Sequence, residues 1–395
     1  MRRRTPRERA LGILSDIAIV DLTYGTAGPL ATQLLADMGA DIVRVDTPAD
    51  RVREQQGSFV RLRGRRSIYI DPGAPGADEV FRRLIDRSDV VISEPGLDAK
   101  PPLPGDFASL SATNPRLIHC RITAYGDEGP LVDGWAHDHL VAARYGVYDQ
   151  PGWREGPTFL PSSVPSLGAA LLAVQAIGTA LYLRERSGRG QEVSTSLLAG
   201  ALSFQPGMVS AAVSRPMAAT GFVGRSPLGA APFYSIYECG DGNWLHFACL
   251  TQAFQLLAIA AIGIEEELKA LGFGTPAGME ARAKVIDAIT ARMKEKPFAE
   301  WAAILEAADV PYAPSQWTED LLDDPQVRHA GLLVTINDPV IGPVEQMGPT
   351  VAFSSAPWEL PDPAPLPGQH TDEVCLALGF DAAEIEDLRQ AGAVR

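Results

Sequence analysis

The side chains with the clearest chemical potential are few. His137 and Asp138 are adjacent, Ser166 lies at the start of a long apolar segment, and Arg61, Arg63, Arg65 and Arg66 crowd into six positions. A serine with a histidine–aspartate pair is the raw material of an acyl-transfer relay, and sequence separation neither supports nor excludes it. No G-x-S-x-G elbow surrounds Ser166, which argues against a hydrolase of that kind. The arginines could hold phosphate oxygens through charge-assisted hydrogen bonds, or they could be a solvated charge run beside a strand. Gly25-x-x-Gly28-Pro29 lacks the third glycine of a dinucleotide fingerprint. His246 stands in an alternating apolar strand and reads as structural. The cysteines Cys120, Cys239, Cys249 and Cys375 form no CxxC pair and imply neither a disulfide framework nor a metal site. No metal is expected.

These groups sit in a chain of 395 residues, 46% hydrophobic and 21% charged, with a net charge of −15. That length exceeds one ordinary core, so two domains are expected. The acidic surface argues against nucleic acid and anionic membranes as partners, and a polyanionic cofactor would need a local basic patch. The basic N-terminus has no long apolar run, so no signal peptide is expected. Residues 163–183 carry no charge. Their proline, glycines and polar residues point to a buried core helix rather than a membrane span. A reducing, cytoplasmic location follows from the cysteine usage.

The elements that must position the chemistry alternate through the first third. Short apolar strands are expected at 17–23, 41–46, 67–71, 89–94 and 116–123, with helices from Pro29 and over 78–87. Such alternation specifies an α/β fold with a mostly parallel sheet. Ligands in such sheets bind beyond the carboxyl ends of the strands, which places Tyr24–Gly28, Thr47–Pro48 and Glu94–Gly96 near a candidate site. A long helix over 166–186 stops at the glycines of SGRGQ. A Pro/Gly-rich linker, 205–231, then leads to a hairpin turning at Gly240–Gly242, and helices at 251–271, 279–294 and 297–308.

Several blocks, in order, resemble the class III (CaiB/BaiF) CoA-transferases, a superfamily that includes the alpha-methylacyl-CoA racemases. They are VDLTYGTAGPLATQLLADMGADIVRVDTP, RLRGRRSIYID, NPRLIHCRITAYGDEGP, LRERSGRGQEV, FYSIYECGDGNWLHFA, VPYAP, DDPQVRHAGL and PGQHTDEV. The resemblance implies a Rossmann-like, CoA-binding large domain formed by both chain ends (1–204 and 331–395). It also implies a smaller α+β domain (232–312), linkers at 205–231 and 313–330, and two subunits interlocked as rings. It implies acyl-CoA and a small carboxylic acid as substrates, with CoA contacts from Gly25, Thr26, Ala27, Asp71 and the four arginines.

Family transferases use an aspartate nucleophile that attacks the acyl-CoA thioester and then carries CoA as an aspartyl thioester, splitting one acyl transfer into easier steps. Counting back from Gly188 places that aspartate at Ser166, or at Pro165 with racemase spacing. Residues 156–174 contain neither Asp nor Glu. Glu155 and Asp149 are the nearest upstream carboxylates. His137-Asp138 matches the racemase histidine–aspartate dipeptide, but the glutamate that supports that histidine falls near Thr251. Basic CoA contacts are replaced at Thr47 and Trp135, and Glu94-Pro95 replaces an asparagine–phenylalanine pair. The expected role is therefore the subunit without the nucleophile in a heteromeric CoA-transferase. The alternatives are a homodimeric isomerase- or racemase-like enzyme and a non-catalytic acyl-CoA binder. Trp135, Tyr145 and Phe159 are candidates for lining an acyl pocket.

Overall fold

The computed structural model describes residues 12–48, 58–94, 106–135, 137–148, 159–204, 229–274 and 282–395. The chain divides into two compact units: Met1–Val147 with Pro161–Pro206 and Arg328–Arg395, and Tyr148–Leu160 with Gly207–Val327.

The first unit is built on six parallel strands. They are β1 (Ala18–Thr23), β2 (Asp41–Asp46), β3 (Arg65–Tyr69), β4 (Val90–Glu94), β5 (Ile118–Thr123) and β6 (Glu192–Ser196). Their order is β3-β2-β1-β4-β5-β6, the order of doubly wound nucleotide-binding sheets. Between them run α1 (Ala27–Asp37), α2 (Ser58–Arg61), α3 (Ala77–Asp86), α4 (Phe107–Thr113), α5 (Asp138–Arg144) and α6 (Val164–Ser187), with α7 (Leu197–Ser203) after β6. The strand and helix order read from the first third is thus present. The short helices α2, α4 and α5 carry too few residues to show a period and were not legible.

The two faces of the sheet differ chemically. On one, Val20, Leu22, Val43, Val45, Ile68 and Val91 pack with Phe81 and Leu84 of α3, with Val374 of the helix Thr371–Ala377 and with Leu378, which caps that helix. This is an apolar core, each large side chain contributing about 1.5–3 kcal/mol of transfer free energy. Alternate residues point the other way. There Asp21, Thr23, Arg44, Asp46, Arg65 and Ser67 form a buried polar layer on β1, β2 and β3.

Helix α6 is long and apolar enough to cross a membrane by composition. One side of it is buried through Pro165, Ser166, Gly168, Ala169, Ala173, Ile177 and Ala180. Its first turns approach α7 backbone to backbone: a Cβ on Gly168 would lie 2.4 Å from Gly200 O, and one on Gly200 would lie 2.2 Å from Pro165 O. Its outer side exposes Leu167, Leu171 and Tyr182.

The second unit carries an antiparallel sheet of Gly229–Ala231, Tyr234–Glu238, Trp244–Phe247 and Tyr312–Pro314. The hairpin turns between Glu238 and Trp244, through the Gly240–Gly242 segment as the glycines predict, with Gly242 N donating to Cys239 O at 3.1 Å. The helical span expected at 251–271 breaks at Gly263 into Gln252–Ile262 and Glu265–Ala270, because Gly263 adopts a left-handed conformation. Thr251 caps the first of these through its hydroxyl. Trp301, Tyr237, Phe233 and Phe247 fill the core of this unit.

Candidate functional site

The strand order reverses between β1 and β4, and the crevice beyond their carboxyl ends is where such sheets bind ligands. β1 delivers Thr23 and the Tyr24–Gly28 turn to this point, and α1 begins there. β4 delivers Glu94 as its last residue. The Glu94 carboxylate turns into the α1 N-terminus, where Oε2 accepts from Gly28 N at 2.8 Å and from Gly25 N at 3.1 Å. The Ala27 amide also donates to it. The group is buried, which pushes its pKa up to about 7 against the pull of those amides.

The glycines make this seat possible. A Cβ on Gly25 would lie 2.3 Å from Glu94 Oε1, and one on Gly28 would lie 2.3 Å from Thr23 Cγ2 and 2.8 Å from Glu94 Oε2. The amides of Gly25 and Ala27, two residues that the family resemblance sets at CoA, are engaged by the chain's own carboxylate. Thr26 stands between them as the residue preceding α1.

Behind the crevice lies a buried charge network. Asp21 Oδ1 accepts from Thr23 Oγ1 at 2.6 Å and Oδ2 from Thr32 Oγ1 at 2.9 Å. Arg65 Nη1 stands 3.6 Å from Asp21 Oδ2 and Arg44 Nη1 3.9 Å from Oδ1. Arg44 Nε donates to Asp46 Oδ1 at 2.8 Å. Burial, opposed by the Asp21 charge, lowers the pKa of Arg65 to about 10. The sequence reading missed this layer: parallel strands bury both faces, so the polar alternate residues of DIVRVD and RRSIY face protein, not water.

The four arginines of the basic cluster therefore separate. Arg63 donates to both carboxylate oxygens of Asp37, at 3.3 and 2.7 Å, and to Gln346. Arg66 forks onto Asp41 at 2.9 and 2.8 Å and reaches Glu373 at 3.1 Å. Arg65 is held at Asp21 and at Pro29 O. These three are buried and paired rather than a solvated run. Arg61, at the end of α2, is exposed. Asp71 follows β3 and shapes the next turn, accepting from Gly73 N at 3.0 Å.

A second cluster forms at the start of α6. Ser166 is buried in its first turn, and its backbone N–H donates to Asp138 Oδ1 at 2.7 Å. Asp138 opens α5, so Asp138 and Ser166 meet at the start of α6, and His137 precedes Asp138 as the residue before α5. Asp138 completes the cap that Ser163 leaves unmade. Its Oδ2 is enclosed without a hydrogen-bond partner. His137 is half-buried, its ring 5.9 Å from that of His139. Trp135 is 65% exposed. Tyr145 tilts against Tyr125 at 6.2 Å. Phe159 belongs to the second unit, where its ring lies 5.5 Å from Tyr148. His246 packs edge-on to Tyr234 in the antiparallel sheet, where burial lowers its pKa. Glu155, Asp149 and most of the 205–231 linker lie outside the described residues.

A parallel sheet whose strand order reverses between β1 and β4 defines a doubly wound α/β protein. Within that class, the model of CoA-transferase family III matches residues 14–371, and the chain belongs to that family. It is 26% identical to a succinyl-CoA:glutarate CoA-transferase from Mus musculus, over 96% of this chain and 90% of the relative. It is 28% identical to the alpha-methylacyl-CoA racemase of Homo sapiens, over 95% and 96%. It is 27% identical to a formyl-CoA:oxalate CoA-transferase of Rhodopseudomonas palustris, over 96% and 97%. A CAIB/BAIF family protein from Brucella suis shares the fold with a TM-score of 0.79 and 26% identity, over 93% of this chain and 99% of that one.

Proposed function

We propose that this chain takes part in CoA transfer between an acyl-CoA and a carboxylic acid, as the subunit without a nucleophilic aspartate in a heteromeric enzyme. The observation that carries the reading is Ser166, buried in the first turn of α6 where the family resemblance sets the nucleophile. A serine ester cannot carry CoA, so the covalent steps belong to the α6 helix of a related subunit. Glu94 in the α1 amides and the carboxylate partners of Arg63, Arg65 and Arg66 support the same reading, since groups suited to CoA phosphates are engaged internally. The acid is of the small dicarboxylic kind named for two of the relatives. The exposed Leu167, Leu171 and Tyr182 stripe of α6 gives a related subunit, or a second copy, an apolar surface to cover. Interlocking through the 205–231 and 313–330 linkers, and a cytoplasmic location, belong to this proposal. The four free, buried thiols fit that location.

A second reading has the chain turn over alone with Asp138 as its carboxylate. The enclosed, unbonded Oδ2 favours it, because such an oxygen is costly to keep without a role.

The test is a CoA-transfer assay on the purified chain and on the chain co-expressed with a genomically adjacent paralogue that retains the aspartate. The expected result is turnover by the pair alone, abolished when the paralogue's aspartate becomes alanine. Turnover by a homodimer of this chain would overturn the heteromeric reading. Asp138→Asn then decides the second one: it keeps an acceptor for Ser166 N–H but removes the nucleophile, so turnover surviving it excludes Asp138.

A further inference from the structure

The β1/β4 crevice has what an anionic ligand group requires, and it is already filled. Amides of the Gly25–Gly28 turn converge on one point at the start of an eleven-residue helix. Gly25 and Gly28 clear the space in front of them. The negative group in that space is the carboxylate of Glu94, brought by the neighbouring strand.

We propose that Glu94 is a built-in anion that closes this crevice, so that a phosphate-like group reaches the α1 amides only by displacing the chain's own carboxylate. The inference rests on the reading above in one respect: it explains why this subunit leaves CoA phosphates to a partner.

Three features make the seat a plug rather than a passive cap. First, two of the amides share one carboxylate oxygen, so an entering anion competes directly with Glu94 for its donors. Second, among the described residues no unpaired cation on these strands offsets the competition. On the polar face of β1, β2 and β3 the charged groups are Asp21, Arg44, Asp46 and Arg65. Arg44 and Arg65 are bound within that network, and Asp21 adds repulsion. Arg66 of β3 pairs with Asp41 and Glu373. On β5, the other neighbour of β4, Arg121 pairs with Asp127 and Glu192, while His119 is buried with its pKa lowered. Helix α1 carries no charged residue before Asp37, and α6 none before Arg184. Third, the plug is titratable. Ionised Glu94 repels an anion and holds the amides by charge. Protonated Glu94 does neither as well, so acid opens the crevice.

Sulfate is the probe, because it is phosphate-like and does not titrate near neutrality. The full chain, labelled with 15N-glycine, is titrated with sulfate while the Gly25 and Gly28 amide resonances are followed. With the Glu94 pKa at about 7, the apparent affinity of the unmodified chain should fall about thirtyfold from pH 6 to pH 8.5, in proportion to the protonated fraction. Glu94→Gln should bind sulfate with no such pH dependence, and Glu94→Ala should bind it at least as tightly. Equal sulfate affinity in the unmodified chain and Glu94→Gln at pH 8.5 would overturn the proposal. So would Gly25 and Gly28 amides that stay unshifted in a folded Glu94→Gln. If Glu94→Ala fails to fold, Glu94→Gln alone decides. No transfer activity is read, so failure here leaves the heteromeric reading standing, and failure of the co-expression assay leaves the sulfate result standing.

Discussion

His119 lies in the core of the first unit as a neutral base. Its Nε2 is 2.9 Å from Ser93 Oγ across the β4–β5 pair, and Phe107 stacks on the ring at 6.4 Å. Glu192 Oε1 comes no closer to Nδ1 than 3.6 Å, too far for a hydrogen bond, and is shared with Arg121. Burial first, and the Arg121 charge second, lower the histidine pKa from 6.5 to about 4. The unfolded chain therefore binds a proton in that window that the folded chain refuses, and stability falls as pH drops from 6.5 toward 4. The loss attributable to this residue reaches about 3 kcal/mol. Urea unfolding of His119→Gln between pH 7 and pH 4.5 should show a shallower acid decline than the unmodified chain; parallel declines would place the acid sensitivity elsewhere. Neither this environment nor the seat of Glu94 was legible in the sequence. Residues separated by 26 and 66 positions meet only through sheet register, and no local pattern encodes that. His137, Asp138 and Ser166 were legible as candidates, but the Asp138–Ser166 bond was not.

At the scale of elements the sequence was far more informative. Apolar runs bounded by glycine and proline located the parallel strands β1 to β5 and the long helix α6, because period and punctuation are local properties. What they could not show is which glycines are packing contacts. Within α6, Gly168 and Gly178 look alike in sequence. Gly168 meets the Gly200 backbone, whereas a Cβ on Gly178 meets nothing within 4 Å. Gly168→Ala must push α6 off α7 and should cost about 2–4 kcal/mol, in the range of overpacked or strained cores. Gly178→Ala should instead stabilise by about 0.5–1 kcal/mol, because alanine loses less backbone entropy in a helix. Thermal unfolding of the two single variants reads both signs at once. A stable Gly168→Ala would mean that the two helices separate without penalty.

At the scale of the whole chain, the first unit is closed by residues from its far end. The outer edge of β3 would otherwise present unpaired backbone groups, a template for association. His370 N donates to Ser67 O at 2.9 Å, and His370 Nδ1 and Thr371 Oγ1 accept from Ser67 N and Tyr69 N at 3.1 and 3.2 Å. Beyond them the last residues return to the same strand. Asp71 N donates to Ala393 O at 2.9 Å, Ile70 pairs with Val394, and Val394 is fully buried in the apolar core. Contacts so distant in sequence must offset the loop-closure entropy of the intervening chain. Val394→Asp places a charge in an apolar cluster and should cost more than about 3 kcal/mol. Val340, 67% exposed between the strands Leu333–Asp338 and Gly342–Met347, provides the control. Val340→Asp should stay within about 0.5 kcal/mol of the unmodified chain. Urea unfolding followed by circular dichroism measures both. If Val394→Asp unfolds like the control, the chain end is not a structural part of the sheet. If it fails as expected, the edge strand β3 is left uncovered, and the same sample should show association by light scattering that Val340→Asp does not.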